Sequence, residues 1–489
     1  MVLESKDLIG LLLLLVGSAV LTTALLFWPR LRGAAFFLIA AGIVTSRWFD
    51  LSIYSAYWYR GTTRGFEVTV FDTLAIGLLC SSLLSPRVSE IPRFWPASLG
   101  VMLVFLLYCV GSTLAAEPFI FGLYELSQIV RAILYFLAAA MFVRRERDLS
   151  LLVAGLALAV GFESAMAFRE RLMLGIYRPG GSLEHPNSLS MYLCLTTPVL
   201  IAAACSTLGP WIRRLCWAAA IGAAGTMVLT LSRAGLPVFL VTSGGTLLWC
   251  ASWRPSPARL AVGVIVLAGL SALVMKSWPL LVARFGQSTL QEEYFDAQGE
   301  SRGYYFRQAD VILEHKPFGV GLNNWSYWVS REYGKPLGMV YQNYDDIVYA
   351  PPSDLLPMYR YAAPAHNLGV LTVAEIGWIG LSLLLVLWLR WLTMGAGFLF
   401  SRRPEALHRV GIGIWFGLLA VFLHSFTEWT FRQSQIFLMF HLLVGVFASL
   451  IALKRVEAGA PQEEAGEEAP VEWNEVPAAQ PAAVTPIRS

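Results

Sequence analysis

LGVLTVAEIGWIGLSLLLVLWLRWLTM, residues 368–394, is apolar over more than the roughly 20 residues a helix needs to cross a bilayer. Similar runs recur near 8–28, 33–46, 67–84, 97–116, 120–143, 149–168, 188–206, 212–231, 235–251, 259–275, 410–428 and 434–453, giving about thirteen spans. The whole chain agrees. Its 489 residues are 56% hydrophobic and only 14% charged, against about 25% charged in soluble chains. Mean hydropathy is +0.60. Length alone would allow three or four soluble domains; composition excludes them, and excludes disorder over most of the chain. The expected fold is all-α, a polytopic transmembrane helical bundle of about 12–13 spans. One large extracytoplasmic loop separates the tenth and eleventh spans. The expected organisation is a transmembrane bundle over 1–275, the loop over 276–367, C-terminal transmembrane helices over 368–455 and a tail over 456–489. That tail is rich in Glu, Ala and Pro, has little to bury, and reads as disordered and cytoplasmic.

Lys and Arg asymmetry sets the orientation. One alternating set of short junctions holds Arg30/Arg32, Arg87/Arg93, Arg144/Arg145/Arg147, Arg213/Arg214, Arg254/Arg259, Arg402/Arg403/Arg409 and Lys454/Arg455. These belong in the cytoplasm, which puts the N-terminus outside and the C-terminus inside. The N-terminus (Glu4, Lys6, Asp7) lacks a basic leader, so its apolar run reads as a retained first span. The net charge of +3 gives no reason to expect nucleic acid. The six cysteines form no Cys-x-x-Cys pair, so neither a zinc site nor a disulfide framework is encoded.

The long outer segment is rich in aromatic residues, among them Tyr304, Tyr305, Trp325, Tyr327 and Trp328. Rings with a polar handle suit sugar stacking, an interfacial belt or a small core alike. Residues 303–315 read as a helix opened by Ser301 or Arg302 and stopped by Lys316-Pro317. Phe318-Gly319-Val320-Gly321-Leu322-Asn323-Asn324-Trp325 follows. It lacks the strand and the Lys-Ser/Thr of a phosphate-cradling loop, so no nucleotide site is read there. Acidic and basic residues of this segment roughly balance; an anion would have to be held by individual arginines.

Polar residues concentrate at three further outward places. These are Tyr177-Arg178-Pro179-Gly180-Gly181-Ser182-Leu183-Glu184-His185-Pro186-Asn187, Leu231-Ser232-Arg233-Ala234-Gly235, and Pro364-Ala365-His366-Asn367. Ionisable groups at membrane depth are costly and mark functional sites by default. Bland alternatives stand beside that reading. Arg233 could snorkel to lipid phosphate, the Ala-His-Asn turn could cap a helix, and His185 and Asn187 could shape their loop. His424 and Glu428, four apart, read as a structural pair on one helix face.

The order of these motifs resembles the O-antigen ligase and Wzy polymerase superfamily of bacterial envelope glycosyltransferases. The elements carrying the likeness are Arg-Pro-Gly-Gly…His-Pro-Asn, the Ser-Arg-Ala-Gly turn, Arg302…Pro317-Phe318-Gly319-Val320-Gly321…Asn323, and His366-Asn367 with Glu375-Ile376-Gly377 behind it. They cover roughly 160–380; the family usually has about twelve spans. The resemblance implies an inverting, metal-independent transferase without a cofactor. It would move a glycan from an undecaprenyl diphosphate carrier to a lipid A core, another glycan or a protein on the periplasmic side. It implies diphosphate-binding arginines at Arg233 and Arg302 and a catalytic histidine at His366. Arg178, His185, Asn187, Asn367, Asn323 and Trp325 are the expected substrate contacts. The 341–361 stretch matches nothing in the family pattern.

The chemistry is coherent on its own terms. A sugar diphosphate carries a good leaving group, and its developing charge suits the planar, bidentate guanidinium of Arg. The acceptor hydroxyl needs a base, and His titrates in the right range. Two rival classes remain open. A transporter or lipid-linked glycan flippase would usually show inverted repeats and midplane polar sites, and neither is seen. A glycan-binding scaffold would tolerate loss of Arg233 and His366 together.

Overall fold

A computed structural model describes residues 5–56, 58–85, 95–251, 257–286, 292, 302–339, 361–400 and 403–459. The 341–360 stretch and the tail beyond 459 lie outside the described residues. The protein is an all-α, polytopic helical membrane protein. Among the described residues, nine helices are long and apolar enough to cross a membrane, and three shorter apolar helices accompany them. No strand occurs among these residues, only an isolated bridge between Ile53 and Phe66.

Each of the thirteen apolar runs coincides with a helix. The second is short, Arg30–Gly42. The tenth, Pro257–Phe285, continues past residue 275, because the run Trp278–Phe285 stays apolar enough to remain helical. The expected helix in the outer segment forms as Arg302–His315. The Pro186–Ala204 helix sits at the centre, with every residue from Ser188 to Ala204 buried. Small residues let its neighbours approach: the position of a Cβ on Gly417 would lie 2.3 Å from the Leu195 carbonyl oxygen. Packing through small residues is what remains to hold helices together in lipid, where the hydrophobic effect between them vanishes.

The stretch that announced the fold is not one straight helix. Leu368–Met394 breaks at Ile376 and Gly377, where Gly377 has φ +68°. A break frees carbonyls that must be satisfied inside the protein, since irregular backbone is tolerated at such depth only when protein covers it. The segment after the Arg302–His315 helix does this. Val320 N–H donates to the Ala374 carbonyl at 3.0 Å and Gly321 N–H to that of Glu375 at 2.7 Å. Tyr108 Oη donates to the Ile376 carbonyl at 2.8 Å. The outer segment is thereby stitched into the bundle. Gly319 makes the closest approach, at φ +84°, where a Cβ would stand 2.3 Å from the Glu375 carbonyl oxygen. Gly319→Ala is expected to cost about 1–3 kcal/mol from the left-handed backbone and the collision. A lowered melting temperature in detergent would show it, and an unchanged one would remove this account of the stitch.

A buried ion cluster ties the same region together. Arg432 Nε donates to Glu125 Oε1 at 2.7 Å and Nη1 to Glu375 Oε2 at 2.6 Å. Breaking such a cluster by removing one member leaves an uncompensated buried charge. Asn323, at φ +58°, extends the tie. Its Oδ1 accepts from Thr62 N–H at 2.8 Å and its Nδ2 donates to the carbonyls of Thr63 and Phe121.

Candidate functional site

The segments around 178–187, 231–235, 302, 366 and 426–432 meet at one end of the bundle, around the carboxylate of Glu428. Local chemistry explains each placement. The Arg178 loop is pinned by two carboxylates of the Glu146–Leu172 helix: Glu170 accepts from the N–H groups of Gly180 and Gly181, and Glu163 from the N–H and hydroxyl of Ser182. His185 then caps the Pro186–Ala204 helix, its Nδ1 accepting from Asn187 N–H at 3.2 Å. Leu231 (φ +50°) ends the Pro210–Thr230 helix, and Ser232 Oγ accepts from Gly235 N–H to start the next. Arg233 is thus fixed in a tight turn. Asn367 caps Leu368–Met394, accepting from Val370 N–H at 3.0 Å, while its Nδ2 donates to the Phe426 carbonyl at 2.8 Å. One residue therefore starts a helix and anchors the Glu428 turn beside it.

Glu428 is the hub. Its Oε1 accepts from Arg302 Nη2 at 3.0 Å and from Asn187 Nδ2 at 2.6 Å. Its Oε2 stands 2.7 Å from His366 Nδ1. Asn187 Oδ1 in turn accepts from Arg178 Nη2 at 2.8 Å and Ser232 Oγ at 3.3 Å. Burial opposes the charge on Glu428, but the His366 bond and then the Arg302 charge outweigh it, and its pKa falls to about 2. An ionised carboxylate can only accept, so the Nδ1 atom of His366 that faces it carries a proton. Glu428 is 1% exposed and the His366 side chain 31%, so the imidazole is held from behind and open in front.

The positive side of the site is shared by four arginines. Arg178 feels burial first, then the Arg284 charge, and its pKa drops to about 10; Glu428 opposes the fall and Arg233 adds to it. Arg178 therefore lies within the fields of both Arg284 and Arg233, and Arg302 bonds the hub. His185 is lowered by burial, with Glu428 pulling the other way and His366 and Arg178 adding to the fall.

Of the expected site residues, the structure brings together Arg178, His185, Asn187, Arg233, Arg302 and His366, with Asn367 supporting the turn. Asn323 and Trp325 lie in the scaffold instead. Both are 1% exposed. Trp325 Nε1 donates to the Ala363 carbonyl at 2.9 Å, and its ring lies tilted against Tyr305, which in turn lies tilted against His366 with centroids 5.8 Å apart. Sequence reasoning missed Glu428 and Arg284. The helix Ala406–Ser425 ends before Glu428, so the expected i,i+4 pair with His424 does not form between side chains. Both His424 ring nitrogens are buried without a hydrogen-bond partner among the described residues. Among those residues no group of three or more His, Cys, Asp or Glu is placed to hold a metal ion.

Beside the arginines runs an apolar groove of about 480 Å³ between the helices Pro210–Thr230, Gly235–Cys250 and Pro257–Phe285. Met227, Leu236, Phe239, Leu281 and Phe285 line it, so its outer end adjoins Arg233 and Arg284 in sequence. A long apolar chain bearing an anionic head would suit that juxtaposition.

Fold and site together define a polytopic helical membrane protein with an arginine cluster and a carboxylate-backed histidine at one end. Residues 218–385 match the family model described as O-antigen ligase. The match covers about a third of the chain; that stretch is similar to the O-antigen ligases, and Arg233, Arg284, Arg302 and His366 lie inside it. No curated protein matches this chain.

Proposed function

We propose that the protein is an inverting, metal-independent glycosyltransferase of the bacterial inner membrane, with its site facing the periplasm and its C-terminus in the cytoplasm. The donor is a glycan on undecaprenyl diphosphate; the acceptor is a lipid A core, another glycan or a protein. The observation that carries this reading is the shared carboxylate: Glu428 holds the Nδ1 side of His366 and one Nη of Arg302 at the same time.

In this reading the polyprenyl chain lies in the apolar groove and the diphosphate among Arg178, Arg233, Arg284 and Arg302. The acceptor hydroxyl oxygen attacks the anomeric carbon from the face opposite the diphosphate. The new C–O bond forms as the bond to the diphosphate oxygen breaks, and the hydroxyl proton passes to His366 Nε2. The electron pair of the broken bond stays on the departing diphosphate oxygen, whose developing charge the guanidinium N–H groups stabilise. Fixed donors aimed at developing charge are the largest single contribution in many enzymes.

Purified protein, an undecaprenyl diphosphate glycan and candidate acceptors test it. The product is expected to have the inverted anomeric configuration, and a chelator to leave the rate unchanged. Arg302→Lys keeps the charge but loses the planar fork, and the rate is expected to fall by about 10²-fold. Retention of configuration, or a fully active Arg302→Lys, would overturn the assignment.

A further inference from the structure

A second cavity, of about 580 Å³, has His366 in its wall. It falls within the size range of small-ligand sites. Its wall includes His366, His185 and Trp429, and most of the remainder comes from 46–69, the connection between the second and third spans. That connection lies outside the stretch matched by the family. Its charges are balanced: Arg47, Arg60 and Arg64 face the space with Asp50, Glu67 and Glu184. Several are already satisfied within the protein. Arg47 pairs with Glu184 at 2.6 Å. Arg60 Nη1 donates to the Tyr361 carbonyl at 2.6 Å. Glu67 accepts from Arg131 at 2.9 Å and from Ser434.

We propose that this cavity is the acceptor subsite and that the 46–69 connection selects an acceptor whose reacting end is an uncharged, hydroxyl-rich glycan. The inference rests on the transferase reading of His366. Hydroxyls and carboxylates at fixed places suit a sugar's many hydroxyl groups, and Trp429 offers a ring for its apolar face. A phosphorylated end would meet Asp50 and Glu67 and find arginines already engaged. Such a mismatch discriminates by repulsion as much as by fit.

Ser55, a half-buried lining residue, allows a test in membranes that contain the cell's own donor and acceptor. Ser55→Cys, full length, is treated with methyl methanethiosulfonate or with a bulky uncharged maleimide; the wild type receives the same treatment. The bulky adduct is expected to lower transfer at least about tenfold through the acceptor KM, while donor hydrolysis by water persists. The small adduct should cost far less. A neutral trisaccharide should slow labelling of Cys at this position more than its phosphate monoester does. Unchanged transfer with the bulky adduct, equal or better protection by the phosphate, or no protection by either sugar would overturn the proposal. If the untreated protein consumes no donor, the transferase reading fails instead, and the protection experiment still reads the cavity.

Discussion

His366→Ala is expected to lower glycan transfer by about 10²–10⁴-fold, the range a positioned general base supplies. The residue opens the Leu368–Met394 segment but is not its cap; Asn367 fills that role. Losing the imidazole should leave insertion intact and lower the melting temperature only modestly, because Glu428 loses one partner but keeps Arg302 and Asn187. Donor affinity should also hold, because the arginines bind the diphosphate. A lower kcat with an intact donor Kd is the signature to seek. Full activity would remove His366 as the base, and a collapse of folding would show that its contact with Glu428 serves stability instead.

Glu428→Gln should be nearly as damaging to transfer, at about 10²–10³-fold. The amide keeps the shape but loses the charge that orders Arg302. Its N–H also offers itself to His366 Nδ1, favouring the tautomer with the proton on Nε2, where a base cannot accept. Glu428→Asp should recover part of the rate. The same carboxylate makes a pH prediction. Its pKa is depressed from 4.5 to about 2 in the fold, so its stabilisation is present above about pH 4.5 and is lost as pH falls through about 2. The melting-temperature gap between wild type and Glu428→Gln should be largest at neutral pH and shrink on acidification through that window. A gap that grows in acid would contradict the ionised hub.

Much of this was legible beforehand. The thirteen apolar runs coincide with helices, because a bilayer imposes length and polarity limits that composition alone reveals. The Arg302–His315 helix was readable from its start and its Lys316-Pro317 stop. Arg178, Asn187, Arg233 and His366 stand out as polar groups at the ends of apolar runs, where charge is expensive, while Arg302, inside the outer segment, stands out only through its place in the family-like motif order. Arg284 hides because the apolar run of the tenth span ends near residue 275; the helix continues to Phe285 and puts Arg284 within reach of Arg178 electrostatically. Asn323 and Trp325 stand out through the Phe318–Trp325 motif of the outer segment, yet the structure uses them to tether that segment to the backbone at Thr62, Thr63 and Ala363. A buried asparagine that satisfies backbone groups and one that faces an open site look alike in one dimension.

Sequence by itself determined the class of protein and the side chains worth watching, since burial cost and span length are local properties of a run of residues. Tertiary structure alone decided the centre of the site. Glu428 sits in an unremarkable turn, and its importance comes from three remote segments bringing Arg302, Asn187 and His366 to one carboxylate. Such convergence depends on helix packing and on where the Ala406–Ser425 helix stops, neither of which any short pattern encodes.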